Sequence, residues 1–157
     1  MADSSVHKIV SGGQTGVDRA ALDVAIYLNI DHGGKCPKGR LAEDGTIPDS
    51  YQLTENDSSD YSVRTEQNVV ESDGTLILHT GVVSGGTGLT RKLAADHKRA
   101  CLTIQLTPDD VSAADVSCVQ RWLSATNIGV LNIAGPRESS SPGISLLAER
   151  FLLAVFR

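Results

Sequence analysis

The run Lys8-Ile9-Val10-Ser11-Gly12-Gly13-Gln14-Thr15-Gly16-Val17-Asp18-Arg19 has the residue types of an anion-binding turn. A short apolar strand feeds a glycine turn, and an amphipathic helix follows from about Asp18. Free backbone N–H groups and the positive end of a helix then point at one place, which attracts a phosphate or a similarly shaped oxyanion. The spacing is neither the dinucleotide G-x-G-x-x-G nor a P-loop, because no Gly-Lys-Ser/Thr follows. Gly12, Gly13 and Gly16 supply backbone freedom, and Gln14 and Thr15 supply polar groups. A second run, Ser84-Gly85-Gly86-Thr87-Gly88, opens another predicted helix in the same manner. Ser84 and Thr87 add hydroxyl donors there. A third loop, Gly135-Pro136-Arg137-Glu138-Ser139, offers a cation, a carboxylate and a hydroxyl. Each residue also has a plainer reading. Asp18 suits any helix start, and Thr87 any N-cap. Lys38 and Arg40 form a basic loop, yet Glu43 and Asp44 stand ready to pair with them.

The elements that must hold these residues alternate. Strands are predicted over His7–Val10, Ile30–Lys35, Thr75–His79, Cys101–Leu106 and Ile128–Ala134. Helices are predicted from about Asp18, over Tyr61–Ser72, Leu89–Lys98 and Ala113–Ser124, and after Pro142. Between Cys36 and Asp60 the chain reads as irregular. This alternation implies an α/β, Rossmann-like, doubly wound fold, with a mainly parallel sheet and helices on both faces. Right-handed crossovers bring the loops after the strands to one edge, where ligands bind. If the first strand and Thr75–His79 are neighbours, both glycine turns face one crevice.

A chain of 157 residues fits one domain, residues 1–157. Its formal charge of −5 and pI near 5.2 speak against nucleic acid or an anionic membrane as partner. No stretch approaches the roughly 20 apolar residues of a membrane span. The polar Met1–Ser5 lacks a signal-peptide core, and Cys36, Cys101 and Cys118 have no metal spacing. A cytoplasmic protein with reduced thiols is expected, with no metal site built from the four histidines. Cys36, beside Lys35 and Lys38, is expected to have a lowered pKa. Leu146, Leu153 and Phe156 fall outside the stripe of the last helix and read either as an exposed interface or as a second buried side.

Taken in order, Ser11–Arg19, Cys36-Pro37-Lys38-Gly39-Arg40, Gly45-Thr46-Ile47-Pro48, Arg64-Thr65-Glu66-Gln67-Asn68, Ser72-Asp73-Gly74-Thr75, Gly85-Gly86-Thr87 and Ala134–Ser139 form a pattern. The pattern resembles the molybdenum cofactor (Moco) carrier proteins, a branch of the SLOG superfamily of Rossmann-like folds. The resemblance runs from about residue 8 to 155. It implies a non-catalytic protein that stores molybdenum cofactor (molybdopterin), binds oxyanions such as molybdate, and passes its cargo to a molybdoenzyme acceptor. It also implies a homo-oligomer, dimer or tetramer. A pterin with two anionic ends would then meet the two glycine turns, with Lys38, Arg40 or Arg137 nearby. Asp18 or Glu138 would accept from the pterin N–H groups.

Two other readings compete. The cytokinin-activating phosphoribohydrolases of the same superfamily carry a turn resembling Pro-Gly-Gly-x-Gly-Thr with paired glutamates. Here Arg91 and Lys92 follow the turn instead, and N-glycosidic hydrolysis needs a carboxylate near the sugar. Glu66 or Glu138 would have to substitute. A sensor of a nucleotide derivative would show the same turns as a carrier.

Overall fold

The computed structural model describes residues 4–83 and 85–157. Its elements in chain order are β1 (Lys8–Val10), α1 (Val17–Tyr27), β2 (Asp31–Gly33), β3 (Lys35–Cys36), β4 (Leu41–Ala42), β5 (Gly45–Thr46) and β6 (Thr54–Glu55). Then follow α2 (Tyr61–Val70), β7 (Gly74–His79), α3 (Gly85–Asp96), β8 (Ala100–Gln105), α4 (Ala113–Ala125), β9 (Val130–Ala134) and α5 (Ile144–Phe156).

The main sheet has the order β2-β1-β9-β7-β8, and every pairing in it is parallel. All six residues of β7 are buried, as expected for a central parallel strand covered on both sides. From β1 the chain moves to β2 on one flank, and from β7 to β8 on the other. Right-handed crossovers therefore put α1 and α3 on opposite faces. Helix α5 packs against both α1 and α4, and α2 packs with α3. The core is aliphatic, built on Ile9, Leu76, Leu78, Leu131, Ile133 and the α5 stripe Ile144, Ala148, Phe151 and Leu152.

Strand β9 lies between β1 and β7, so the two strands that precede the glycine turns are not neighbours. Both turns still reach one crevice, because β9 delivers its own loop between them. The stretch between Cys36 and Asp60 is more ordered than its sequence suggests. Strand β3 pairs with β6 in parallel, and β4 with β5 in an antiparallel hairpin. They close over a second small core of Cys36, Ala42 and Ile47, with Tyr51 and Leu53 against it. Two-residue strands carry no periodicity, so this subsheet leaves no pattern to read. On α5, Leu146 is exposed, while Phe156 is buried and Leu153 packs against the core. The final turn of α5 is covered on more than one side.

Caps explain several helix starts. Asp60 accepts from the Ser62 N–H at 2.9 Å to begin α2, and Ser112 accepts from the Asp115 N–H at 3.2 Å to begin α4. Glycine begins α1 and α5, and neither Gly16 nor Gly143 has a capping side chain. Both ends are closed from the last loop.

Candidate functional site

A cavity of about 530 Å³ opens at the carboxyl ends of β1, β9 and β7, where the sheet's direction of winding reverses. That size lies within the ordinary range for small-molecule sites. Its walls come from five segments, one of them Thr80 and Val82 after β7. The first turn contributes Gly12, Gln14 and Asp18. Helix α2 contributes Tyr61, Arg64, Thr65 and Asn68, the i, i+3, i+4, i+7 positions of one face. The start of α3 contributes Gly85, Gly86, Thr87 and Thr90. The end of β9 and the loop after it contribute Asn132, Gly135, Pro136, Arg137, Ser140 and Ser141.

The first turn already holds an anion of its own. The Gln14 N–H donates to Asp18 Oδ2 at 3.3 Å, and the Gly12 N–H also helps to hold that carboxylate. The Thr15 N–H donates to Gln14 Oε1 at 3.1 Å, and the Val17 N–H to the Pro136 carbonyl at 3.3 Å. Several donors that the sequence suggested for a ligand are therefore used within the protein. Gly16 has a φ of 82°, and a Cβ there would land on the Pro136 carbonyl. A Cβ on Gly135 would land on the Leu78 carbonyl and on Val17. These two glycines let the first turn and the last loop close on each other.

The start of α3 is differently placed. Gly85, Gly86 and Thr87 line the cavity, and the first N–H groups of a helix have no partner within it. A Cβ on Gly86 would meet nothing within 4 Å. Ser84 lies outside the described residues. Arg91 and Lys92 follow but do not line the cavity, and Lys92 pairs with Asp96 at 2.8 Å.

Two arginines supply the positive field. Arg64 is 9% exposed, donates from Nη1 to the Gly12 carbonyl at 2.8 Å and lies 3.6 Å from Asp18 Oδ2. Arg137 is half-buried; its carbonyl accepts from the Ser140 and Ser141 N–H groups at 3.1 and 3.2 Å, while its guanidinium lies over the Tyr61 ring and makes no hydrogen bond or ion pair with the described residues. Desolvation pushes the Asp18 carboxyl above its ordinary range, although Arg64 pulls it back.

The remaining candidates have structural partners. Gly13 lies against Leu53 and Ile47, and its carbonyl accepts from Arg19 Nε at 3.0 Å. Arg40, at a φ of 54°, fans its guanidinium over the carbonyls of Ile47, Pro48 and Tyr51 at 3.1, 2.7 and 3.0 Å. It fastens the β4–β5 hairpin rather than facing the cavity. Lys38 is exposed and does not line the cavity. The hydroxyls of Thr15 and Ser139 both donate to Glu43, and the Glu138 N–H donates to Thr15 Oγ1 at 3.1 Å. Glu43 thereby ties the hairpin to the last loop, and these hydrogen bonds hold its carboxyl below the usual range. Glu138 caps α5, accepting from the Gly143 and Ser145 N–H groups at 2.6 and 3.1 Å. Burial raises the Cys36 thiol, reversing the expected effect of its lysine neighbours. His79 is buried and does not line the cavity. No cluster of three His, Cys, Asp or Glu side chains that could hold a metal occurs among the described residues. No helix is long and apolar enough to cross a membrane among the residues described.

Tyr61, Ser62, Thr65, Asn68, Thr80, Ser140 and Ser141 line the cavity without having been singled out in the sequence as ligand residues. The polar stripe of α2 was the available signal. Asn68 does double duty, bonding the Lys35 backbone through both amide atoms at 2.7 and 3.0 Å.

Residues 9–156 match the model of the circularly permutated YpsA SLOG family, and the chain belongs to that family. A solved structure named "Putative molybdenum carrier protein", from Syntrophus aciditrophicus SB, is similar at 48% identity and a TM-score of 0.92. The similarity covers 99% of this chain and 97% of that one. No curated protein matches the chain significantly.

Proposed function

We propose that this protein is a non-catalytic carrier that binds molybdenum cofactor, or molybdate alone, in the β1–β9–β7 cavity and passes it to a molybdoenzyme acceptor. The observation that carries the reading is Arg137, whose guanidinium has no hydrogen-bond or ion-pair partner among the described residues and lines a cavity that the start of α3 also lines. A charged group with free donors opposite an open helix N-terminus suits an anionic ligand. The residues present fit a pterin as cargo. Asp18 and Asn132 offer acceptors to ring N–H groups, and Gly86 leaves room beside the helix end. The name of the 48% identical neighbour agrees with molybdenum as cargo. Assembly as a dimer or tetramer in the cytoplasm belongs to the same proposal.

Hydrolysis of a nucleoside monophosphate is the weaker reading. Glu138 is spent on α5, and Glu66 bonds His97 at 2.8 Å away from the cavity lining. Asp18 is the carboxylate on the cavity wall, and it is held by Arg64 and the first turn.

The test is purification under anaerobic conditions, followed by acid oxidation and assay for a fluorescent pterin and for molybdenum by mass spectrometry. Both are expected with the full-length protein. A bound nucleotide in their place, or release of free base from nucleoside monophosphates at an enzymatic rate, overturns the carrier reading.

A further inference from the structure

Tyr61 is approached by two arginines in unequal circumstances. The guanidinium carbon of Arg64 lies 5.4 Å from the Tyr61 ring centroid, and that of Arg137 lies 5.7 Å from it. Arg64 is pinned. It donates to the Gly12 carbonyl at 2.8 Å and to the Thr65 hydroxyl at 3.2 Å, and Asp18 balances its charge. The Arg137 guanidinium has only the ring and the field of Glu43, with no hydrogen bond to the described residues. All three side chains line the cavity.

A cation over a ring is a weak contact when the cation is half-exposed. Carboxylate, phosphate or another oxyanion offers the same guanidinium two charge-assisted hydrogen bonds in one plane. An anion entering the cavity therefore draws Arg137 away from Tyr61. The ring that it leaves is half-buried and belongs to the first turn of α2, beside the Asp60 cap. A bared aromatic face in a polar cavity binds flat heterocycles, because each has a π-face to stack upon it.

We infer that Tyr61 is the stacking platform for the flat ring of the ligand, and that Arg137 is an exchangeable clamp that leaves Tyr61 for the ligand's anionic group. The inference rests on the cavity being the ligand site proposed above, and it narrows the ligand to a flat heteroaromatic ring bearing an anion. Arg64 stays in place as the fixed charge beside the ring.

The probes are pterin-6-carboxylate, followed by its fluorescence, and inorganic phosphate, followed by calorimetry, with guanosine monophosphate in parallel. Tyr61→Leu is expected to weaken pterin-6-carboxylate by about tenfold or more, the scale of an aromatic stack, and to leave inorganic phosphate unchanged. Tyr61→Phe keeps the affinity. Arg137→Gln weakens both probes. Wild-type affinity for the pterin in Tyr61→Leu overturns the inference, as does an equal loss for phosphate, or a wild type that binds neither the pterin nor the nucleotide. The two readings fail separately. Tyr61-dependent binding of the nucleotide without the pterin keeps the platform and removes the carrier. Molybdenum cofactor that copurifies undiminished with Tyr61→Leu keeps the carrier and removes the platform.

Discussion

Asp18 Oδ2 lies 3.6 Å from Nη1 of Arg64 at the cavity wall, with side-chain exposures of 8% and 11%. The pair faces inward in a site whose other features favour negative charge. A carboxylate in that position is a burden on the fold, because burial outweighs the arginine and raises its pKa from the ordinary 3.8. The folded protein therefore takes up the Asp18 proton at a higher pH than the unfolded chain does. Above the folded pKa the ionised group lowers stability, and that cost vanishes as pH falls through the raised value toward 3.8. Asp18→Asn is expected to raise the Tm at pH 7, with the gain over wild type shrinking as pH approaches 4. Scanning calorimetry across that range checks it. A lower Tm for Asp18→Asn at pH 7 would mean that the ion pair is a net stabiliser.

Arg64→Leu removes the partner and leaves Asp18 buried and uncompensated. Breaking a buried pair from one side costs about 3–5 kcal/mol. Urea unfolding should show a loss near the lower end of that range, since water still reaches both groups. Asp18→Asn in the same chain should restore much of it, which separates the stranded charge from lost packing.

Glu43 behaves in the opposite sense. Ser139 and Thr15 hold its carboxyl below 4.5, so its contribution is present at neutral pH and is lost as pH falls through that lowered value. Glu43→Ala should speed amide exchange in both the 37–48 segment and the 137–141 segment at pH 7. The global Tm should shift little, because the carboxylate is exposed. Unchanged exchange in the 137–141 segment would show that the hairpin and the last loop are not coupled through it.

Gly86→Val and Gly135→Ala should separate binding from folding. Gly86 faces open space, so valine should leave unfolding unaltered and obstruct the cavity, weakening molybdate by calorimetry. Gly135 has no room for a Cβ, and alanine there should cost about 1–3 kcal/mol through overpacking. A strongly destabilised Gly86→Val would contradict the open space beside that residue.

Glu138→Ala should cost about 1 kcal/mol by uncapping α5. Molybdate affinity should hold within twofold, since the carboxylate faces the helix and not the cavity. A loss of affinity without a loss of stability would reverse that assignment.

The legibility of these features follows from their physics. Strand β7 is legible because the apolar run Leu76-Ile77-Leu78 follows the Asp73-Gly74 turn signal and is too short for a helix. The glycine turns are visible in part because Gly13, Gly16 and Gly85 sit at positive φ, where other residues are strained. What the sequence hides is which partner a polar side chain takes. Arg40 and Glu138 have the composition of ligand residues, and their neighbours in space use them for carbonyl fastening and helix capping. Tyr61 and Arg64 fall in a helix without a glycine signature. The polar stripe of α2 is readable in sequence, but the packing of α2 against β3, which brings that stripe to the wall, is not.

The position of β9 carries a consequence for how the molecule forms. The β2–β1 ladder and the β7–β8 ladder have no contact of their own in the sheet, and β9 pairs with one strand of each. Without β9 the sheet would divide into the β2–β1 and β7–β8 ladders, each with an unpaired edge. Of the two β9 pairings, β1–β9 joins Lys8 to Val130, a long-range contact of the kind that slows folding, while β7–β9 joins nearer segments such as Gly74 and Leu131. The β9 strand is thus the keystone of assembly. A lesion there, such as truncation of the fully buried Leu131 or Ile133, should slow refolding and also lower the stability of the finished protein.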